Sequence, residues 1–162
     1  MTLLWELKIF DIVYVATIPE GEAYPLSAGA NVAVISSFAP DEPLAVMLDV
    51  ARLLPDVHFY ITGDRRRASP GLLRAAPSNL RFTGYLPDEQ YFGLLRAVDA
   101  VVVLTTRDHT NQRGGCEAVW LGQPLVISDW PVLRRAFHSG AVHVPNTAEG
   151  VATGVHQAVF YL

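Results

Sequence analysis

At 162 residues, with 51% hydrophobic and 17% charged side chains, the chain is long enough for one domain with a proper core. A net charge of −4 supplies no basic field for nucleic acid or for an anionic membrane. The single cysteine, Cys116, excludes an internal disulfide and fits a reducing, cytoplasmic setting.

The apolar stretch 3–18 is broken by Glu6, Lys8 and Asp11, so neither a signal peptide nor a spanning helix is indicated. Residues 1–28 read as a connecting segment and 29–162 as the domain proper. Residues 31–37 form a continuous apolar run of strand length. Asp41 is placed to cap a helix with Pro43 in its first turn and Leu44, Met47, Leu48, Ala51 and Leu54 on its inner face. The next buried strand covers 57–62 and ends at Gly63-Asp64. Arg65, Arg66 and Arg67 read as a solvated loop, with contact to a diphosphate as the alternative. A short strand at 80–83 runs through Gly84-Tyr85-Leu86 into a helix over 88–98, whose apolar positions are Tyr91, Leu94, Leu95 and Val98. Residues 100–104 are apolar on both faces, as in a central strand, and 105–113 form a polar loop without a hydrophobic anchor.

The stretch 114–129, GGCEAVWLGQPLVISD, carries the densest signals. Two glycines open it, a helix follows from Cys116 to Leu121 with Glu117 in its first turn, and Gly122 ends that helix before a buried strand. A helix opening on glycines offers backbone N–H groups to a phosphate, and an ionised acid there accepts two ribose hydroxyls. An ordinary capping acid is the competing reading of Glu117. A helix near 131–137, a strand at 141–144 and a helix from Thr147 complete the chain. Strand and helix alternate about six times without Asn-Gly hairpins, which predicts a three-layer α/β Rossmann-like sandwich around a mostly parallel sheet of about six strands. Ligands of such sheets sit outside the C-terminal strand ends at the switch in strand order.

GGCEAVWLGQPLVISD resembles the segment E-A-x-x-x-G-x-P-x-I-x-S-D of glycosyltransferase family 4 and its relatives, in the C-terminal, donor-binding half of the two-domain GT-B fold. DVHFYITGD (56–64) is similar to the family's strand ending in Gly-Asp, and NLRFTGYLPDEQYFGLLRAVDAVVVLTT (79–106) to its following strand–helix–strand unit. The resemblance spans about residues 31–162.

It implies that Glu117 bonds the ribose of a nucleotide-diphospho-sugar donor, and that the backbone at Gly114, Gly115 and Cys116 lies by the diphosphate. It further implies that Gly84, Tyr85 and Leu86 lie by the base, and it brings Gly63 and Asp64 to the same rim. Eight positions before Glu117, where the family has a glutamate facing the sugar, stands His109, able to bond a hydroxyl or simply to be exposed. Where the family places an arginine and a lysine on the donor phosphates, this chain has Ser37 and Glu42, within SSFAPDEP. Losing two cations weakens a diphosphate site unless Arg65–Arg67, Arg107 or Arg113 compensate.

At a helix start the Cys116 thiol could ionise more readily, but no histidine–carboxylate partner marks it as catalytic. The histidines show no metal-ligand spacing, and the family implies no metal or cofactor beyond the donor itself. Three functions are in view: the donor-binding half of a glycosyltransferase, a degenerate interaction domain, and a nucleotide-sugar epimerase on the same frame. On the first, the acceptor-binding half is not in this chain, the isolated chain binds without turning over, and its apolar ends favour self-association.

Overall fold

The computed structural model describes residues 20–162, and the expectations for 3–18 lie outside them. Six strands, β1 (Ala30–Val34), β2 (Val57–Thr62), β3 (Leu80–Gly84), β4 (Ala100–Val103), β5 (Leu125–Ser128) and β6 (Ala141–Val144), form one sheet in the order β3-β2-β1-β4-β5-β6. Every pairing is parallel. The expected "mostly parallel" sheet is therefore parallel throughout. Parallel neighbours cannot be joined by a tight turn, so helices must carry the chain back each time. They are α1 (Leu44–Leu53), α2 (Pro70–Arg74), α3 (Asp88–Ala97), α4 (Arg113–Trp120), α5 (Pro131–Ala136) and α6 (Ala148–Tyr161).

Side chains alternate across the sheet with the period of a strand. Val32, Val34, Phe59, Ile61, Val102 and Val126 enter one core with Met47 and Ala51 of α1 and Val151 and Val155 of α6. Ala33, Tyr60, Val101, Val103, Leu125 and Ile127 enter the other with Leu94 and Leu95 of α3, Ala118 of α4 and Leu133 of α5. Strands buried on both faces explain the near-continuous apolar runs in the sequence. The inner face of α1 falls where the helical period puts it, with Leu44, Met47, Leu48 and Ala51 buried and Leu54 partly so.

Two element starts differ from expectation. Helix α4 begins at Arg113, three residues before Cys116, so Gly114 and Gly115 lie inside its first turn and Glu117 belongs to the second. Its neighbours favour this: a Cβ on Gly114 would stand 2.8 Å from the Ile35 side chain, and one on Gly115 would stand 2.9 Å from Phe137. Close packing against side chains of the second core, rather than a loop, explains the two glycines. At α1 the N-cap is Pro43, and Asp41 does not cap. Its carboxylate instead accepts a 2.9 Å bond from the Thr105 hydroxyl at the exit of β4, a tertiary partner that outcompetes the local one. Gly122 ends α4 as expected, at φ +70, with Gly122 N–H bonding Val119 O and Gln123 N–H bonding Ala118 O.

Between residues 20 and 28 the chain lies against α3 and the second core. Glu22 N–H bonds the carbonyl of Glu89, and Tyr24 and Leu26 pack on the core. A Cβ on Gly93 would sit 1.9 Å from the Glu22 carbonyl oxygen, so this stretch is seated directly on helix backbone.

Candidate functional site

Starting with β1 in the middle, the chain builds outward to β3 on one side and then crosses to β4 and builds outward to β6. The two loops leaving β1 and β4 therefore diverge, and the crevice between them is the switch point where α/β sheets bind ligands. Ile35 and the first turn of α4 meet at this crevice through Gly114.

The exits of β4, β5 and β6 are fixed by a buried polar network. Ser128 Oγ accepts from Thr105 N–H (2.9 Å) and donates to Asn146 Oδ1 (2.6 Å). The carbonyl of Thr105 accepts from both Trp130 Nε1 and Asn146 Nδ2 at 2.9 Å. Ser128 is fully buried and Thr105 nearly so. The loop expected to lack a hydrophobic anchor is held at its start by polar bonds to side chains at the exits of β5 and β6. Sequence reading missed this because each partner lies on a different element.

Glu117 is the most enclosed carboxylate of the rim, 9% exposed. Its Oε2 accepts a 2.6 Å bond from the phenol of Tyr91 on α3, and its Oε1 a 2.8 Å bond from Arg113 Nε one turn earlier on α4. The acid makes no cap, which removes the competing reading of it as a helix-capping residue. Burial first, then the Glu117 carboxylate and the bond to it, push the Tyr91 phenol far above its ordinary value. Tyr91 stays protonated and donating, so one oxygen of Glu117 is held in a fixed direction. The sequence counted Tyr91 only as an apolar helix position; a tyrosine among leucines was the available signal.

The first βα turn is organised by a second carboxylate. Glu42 accepts from Ser36 Oγ (2.7 Å), Ser37 Oγ (2.8 Å) and Ser37 N–H (3.0 Å), and Ser36 Oγ in turn accepts from Phe38 N–H (2.9 Å). Phe38 takes a positive φ of 56, unusual for a bulky residue. Both donors of Ser37 therefore face Glu42. Gly63, at φ +108, lies beside the same turn, where a Cβ would be 2.4 Å from the Ser36 carbonyl oxygen.

The remaining site residues take varied settings. Asp64 accepts a fork of bonds from Arg66, chiefly Nε at 2.9 Å and Nη2 at 2.6 Å, which lowers its pKa to about 2. Gly84 closes β3 at φ +79, Tyr85 is 75% exposed, and Leu86 packs on the second core. His109, at φ 58, is exposed with Nε2 3.3 Å from Asp108 Oδ2. Cys116 is half-buried, and burial, followed by the Glu117 charge, raises its thiol pKa. The expectation that a helix start could ease its ionisation is corrected: α4 starts earlier, and burial and the Glu117 charge disfavour the thiolate. The structure thus groups Ser37 at the exit of β1 with Gly63, which leaves β2 against the same turn, and places Gly114, Gly115, Cys116 and Glu117 on α4 beside them. Gly84 and Tyr85 stand at the exit of the edge strand β3. Among the described residues no group of three or more His, Cys, Asp or Glu is placed to hold a metal ion, and no helix is long and apolar enough to cross a membrane.

No protein-family model and no curated protein matches the chain. Solved structures do. Anabaena HepE in complex with UDP and glucose superposes with a TM-score of 0.69 at 18% identity, covering 82% of this chain and 39% of that one. Sucrose-phosphate synthase from Thermosynechococcus elongatus gives 0.66 at 17% identity over 86% of this chain and 42% of that one. The likeness shows the fold: a Rossmann-like α/β domain that matches one part of structures of GT-B glycosyltransferases. A protein described as a UDP-N-acetylglucosamine 2-epimerase, from Listeria monocytogenes, shares the same frame at TM-score 0.61 and 12% identity, over 82% of this chain and 37% of that one. The chain spans about two fifths of the length of these GT-B-fold proteins.

Proposed function

We propose that the chain is the donor-binding half of a glycosyltransferase and holds a nucleotide-diphospho-sugar at the C-terminal rim of its sheet. The observation that carries this reading is Glu117, an enclosed carboxylate oriented by Tyr91 and placed beside the switch point. The HepE structures of the same fold hold UDP, with glucose or as UDP-glucose, which supports a uridine nucleotide as the first ligand to test. Glu117 would accept ribose hydroxyls, and the backbone of Gly114, Gly115 and Cys116 would lie by the diphosphate. The base would rest by Gly84, Tyr85 and Leu86, and His109 would face the sugar. Acceptor binding would belong to the three fifths of a two-domain enzyme that this chain does not span. Transfer needs both halves to close on the reactants and exclude water.

Calorimetric titration with UDP, GDP and ADP tests the reading. Glu117→Gln keeps the shape but weakens a charge-assisted bond, at a cost of about 1.5–3 kcal/mol, or roughly ten- to hundredfold in affinity. Equal affinities in both proteins would remove Glu117 from the site. No binding of any nucleotide would leave the domain as an interaction module, a reading that the carboxylate-filled first βα turn favours. The epimerase frame supports a second reading, separable by testing for epimerised sugar released from UDP-N-acetylglucosamine.

A further inference from the structure

Resting on the nucleotide reading above, we propose that Arg113 is the cation that meets the phosphates of the bound nucleotide, in place of the first βα turn. In doubly wound sheets that turn commonly receives phosphate. Here it is filled from within. The Glu42 carboxylate already accepts the hydroxyls of Ser36 and Ser37 and the N–H of Ser37. A phosphate arriving there would lose these donors and face a fixed negative charge.

The counter-charge must then come from another arginine of the rim. Arg66 is bonded through two nitrogens to Asp64, Arg67 stands exposed at the end of the same short turn after β2, and Arg134 is bonded to Asp129. The Arg65 side chain lies along Gly84 at the edge strand, two strands from the switch. Arg107 sits on the exposed loop after β4, where ordering a long side chain costs rotamer entropy. Arg113 is placed differently. It opens α4, its neighbour Gly114 packs on Ile35 at the exit of β1, and its Nε already bonds Glu117. Its side chain is nevertheless 78% exposed, while that of Glu117 is 11%. A ribose on Glu117 puts its 5′ phosphates within one arginine's reach of that carboxylate. The guanidinium can then exchange Oε1 for phosphate while Tyr91 keeps Oε2 in place. The exchange frees Oε1 for a ribose hydroxyl, so ribose and phosphate binding reinforce one another.

The test is the ratio of UDP to uridine affinity, with UDP followed by calorimetry and uridine by saturation-transfer NMR. Arg113→Gln lowers the ratio about tenfold or more, Arg113→Lys recovers most of it, and Arg107→Gln leaves it within about threefold of wild type. The wild-type ratio falls with added KCl, and that of Arg113→Gln falls less steeply. An unchanged ratio in Arg113→Gln, or a loss in Arg107→Gln instead, overturns the assignment. So does a tenfold rise in the ratio for Glu42→Gln, which would put the phosphate in the first βα turn. A wild-type chain that binds neither uridine nor UDP overturns the nucleotide reading itself and this assignment with it.

Discussion

The phenol of Tyr91 donates a 2.6 Å hydrogen bond to Oε2 of Glu117, joining α3 to the second turn of α4 across 26 positions of sequence. A buried carboxylate requires such partners, because removing one leaves charge unsatisfied in a poorly solvated place. Tyr91→Phe is therefore expected to destabilise the fold by about 1.5–3 kcal/mol in urea denaturation, with the denaturant slope unchanged. A loss of under half a kcal/mol would mean that solvent or Arg113 satisfies Glu117 without it.

The same bond sets an alkaline limit. Tyr91 is held protonated well above the ordinary tyrosine value of 10.0, by burial first and then by the Glu117 charge and bond. Above that pH the unfolded chain releases this proton while the folded chain keeps it, so the unfolded state binds fewer protons and stability falls as pH rises. The contribution is complete below pH 10 and declines above it. The stability gap between wild type and Tyr91→Phe should narrow steadily over that range. A gap that stays constant would show that the phenol ionises freely in the folded protein.

Cys116 provides a chemical probe of α4. With its pKa raised by burial and by the adjacent Glu117, little thiolate exists at neutral pH. Iodoacetamide at pH 8 should label folded protein at least tenfold more slowly than unfolded protein, since the thiolate is the reacting form. Equal rates would place the thiol in solvent and contradict the packing of α4 on the second core.

Two glycines give a matched pair of substitutions. Gly63 combines φ +108 with a Cβ position 2.4 Å from the Ser36 carbonyl, whereas nothing lies within 4 Å of a Cβ on Gly71 in α2. Gly63→Ala should cost about 2–4 kcal/mol and disturb the first βα turn, while Gly71→Ala should be neutral or gain up to about 1 kcal/mol. Thermal melting of both variants decides this, and similar midpoints would contradict the described geometry at Gly63.

Local sequence determined the elements. Residues 57–62 show their strand because both faces are buried, and α1 shows its inner face at the helical period. Gly122 shows the end of α4 because few other residues adopt its φ of +70 without strain. The alternation of these elements was enough to name a parallel α/β sheet. Tertiary structure alone decided who meets whom at the rim. It brings Tyr91 to Glu117, turns Asp41 from a cap into a partner of Thr105, and ties Thr105 to Ser128, Trp130 and Asn146. It also reverses the expected direction of the Cys116 shift. Periodicity and turn chemistry act over a few residues and leave a pattern in the chain. Polar pairing and desolvation depend on strand order and helix docking, which join residues many positions apart and leave no spacing to read.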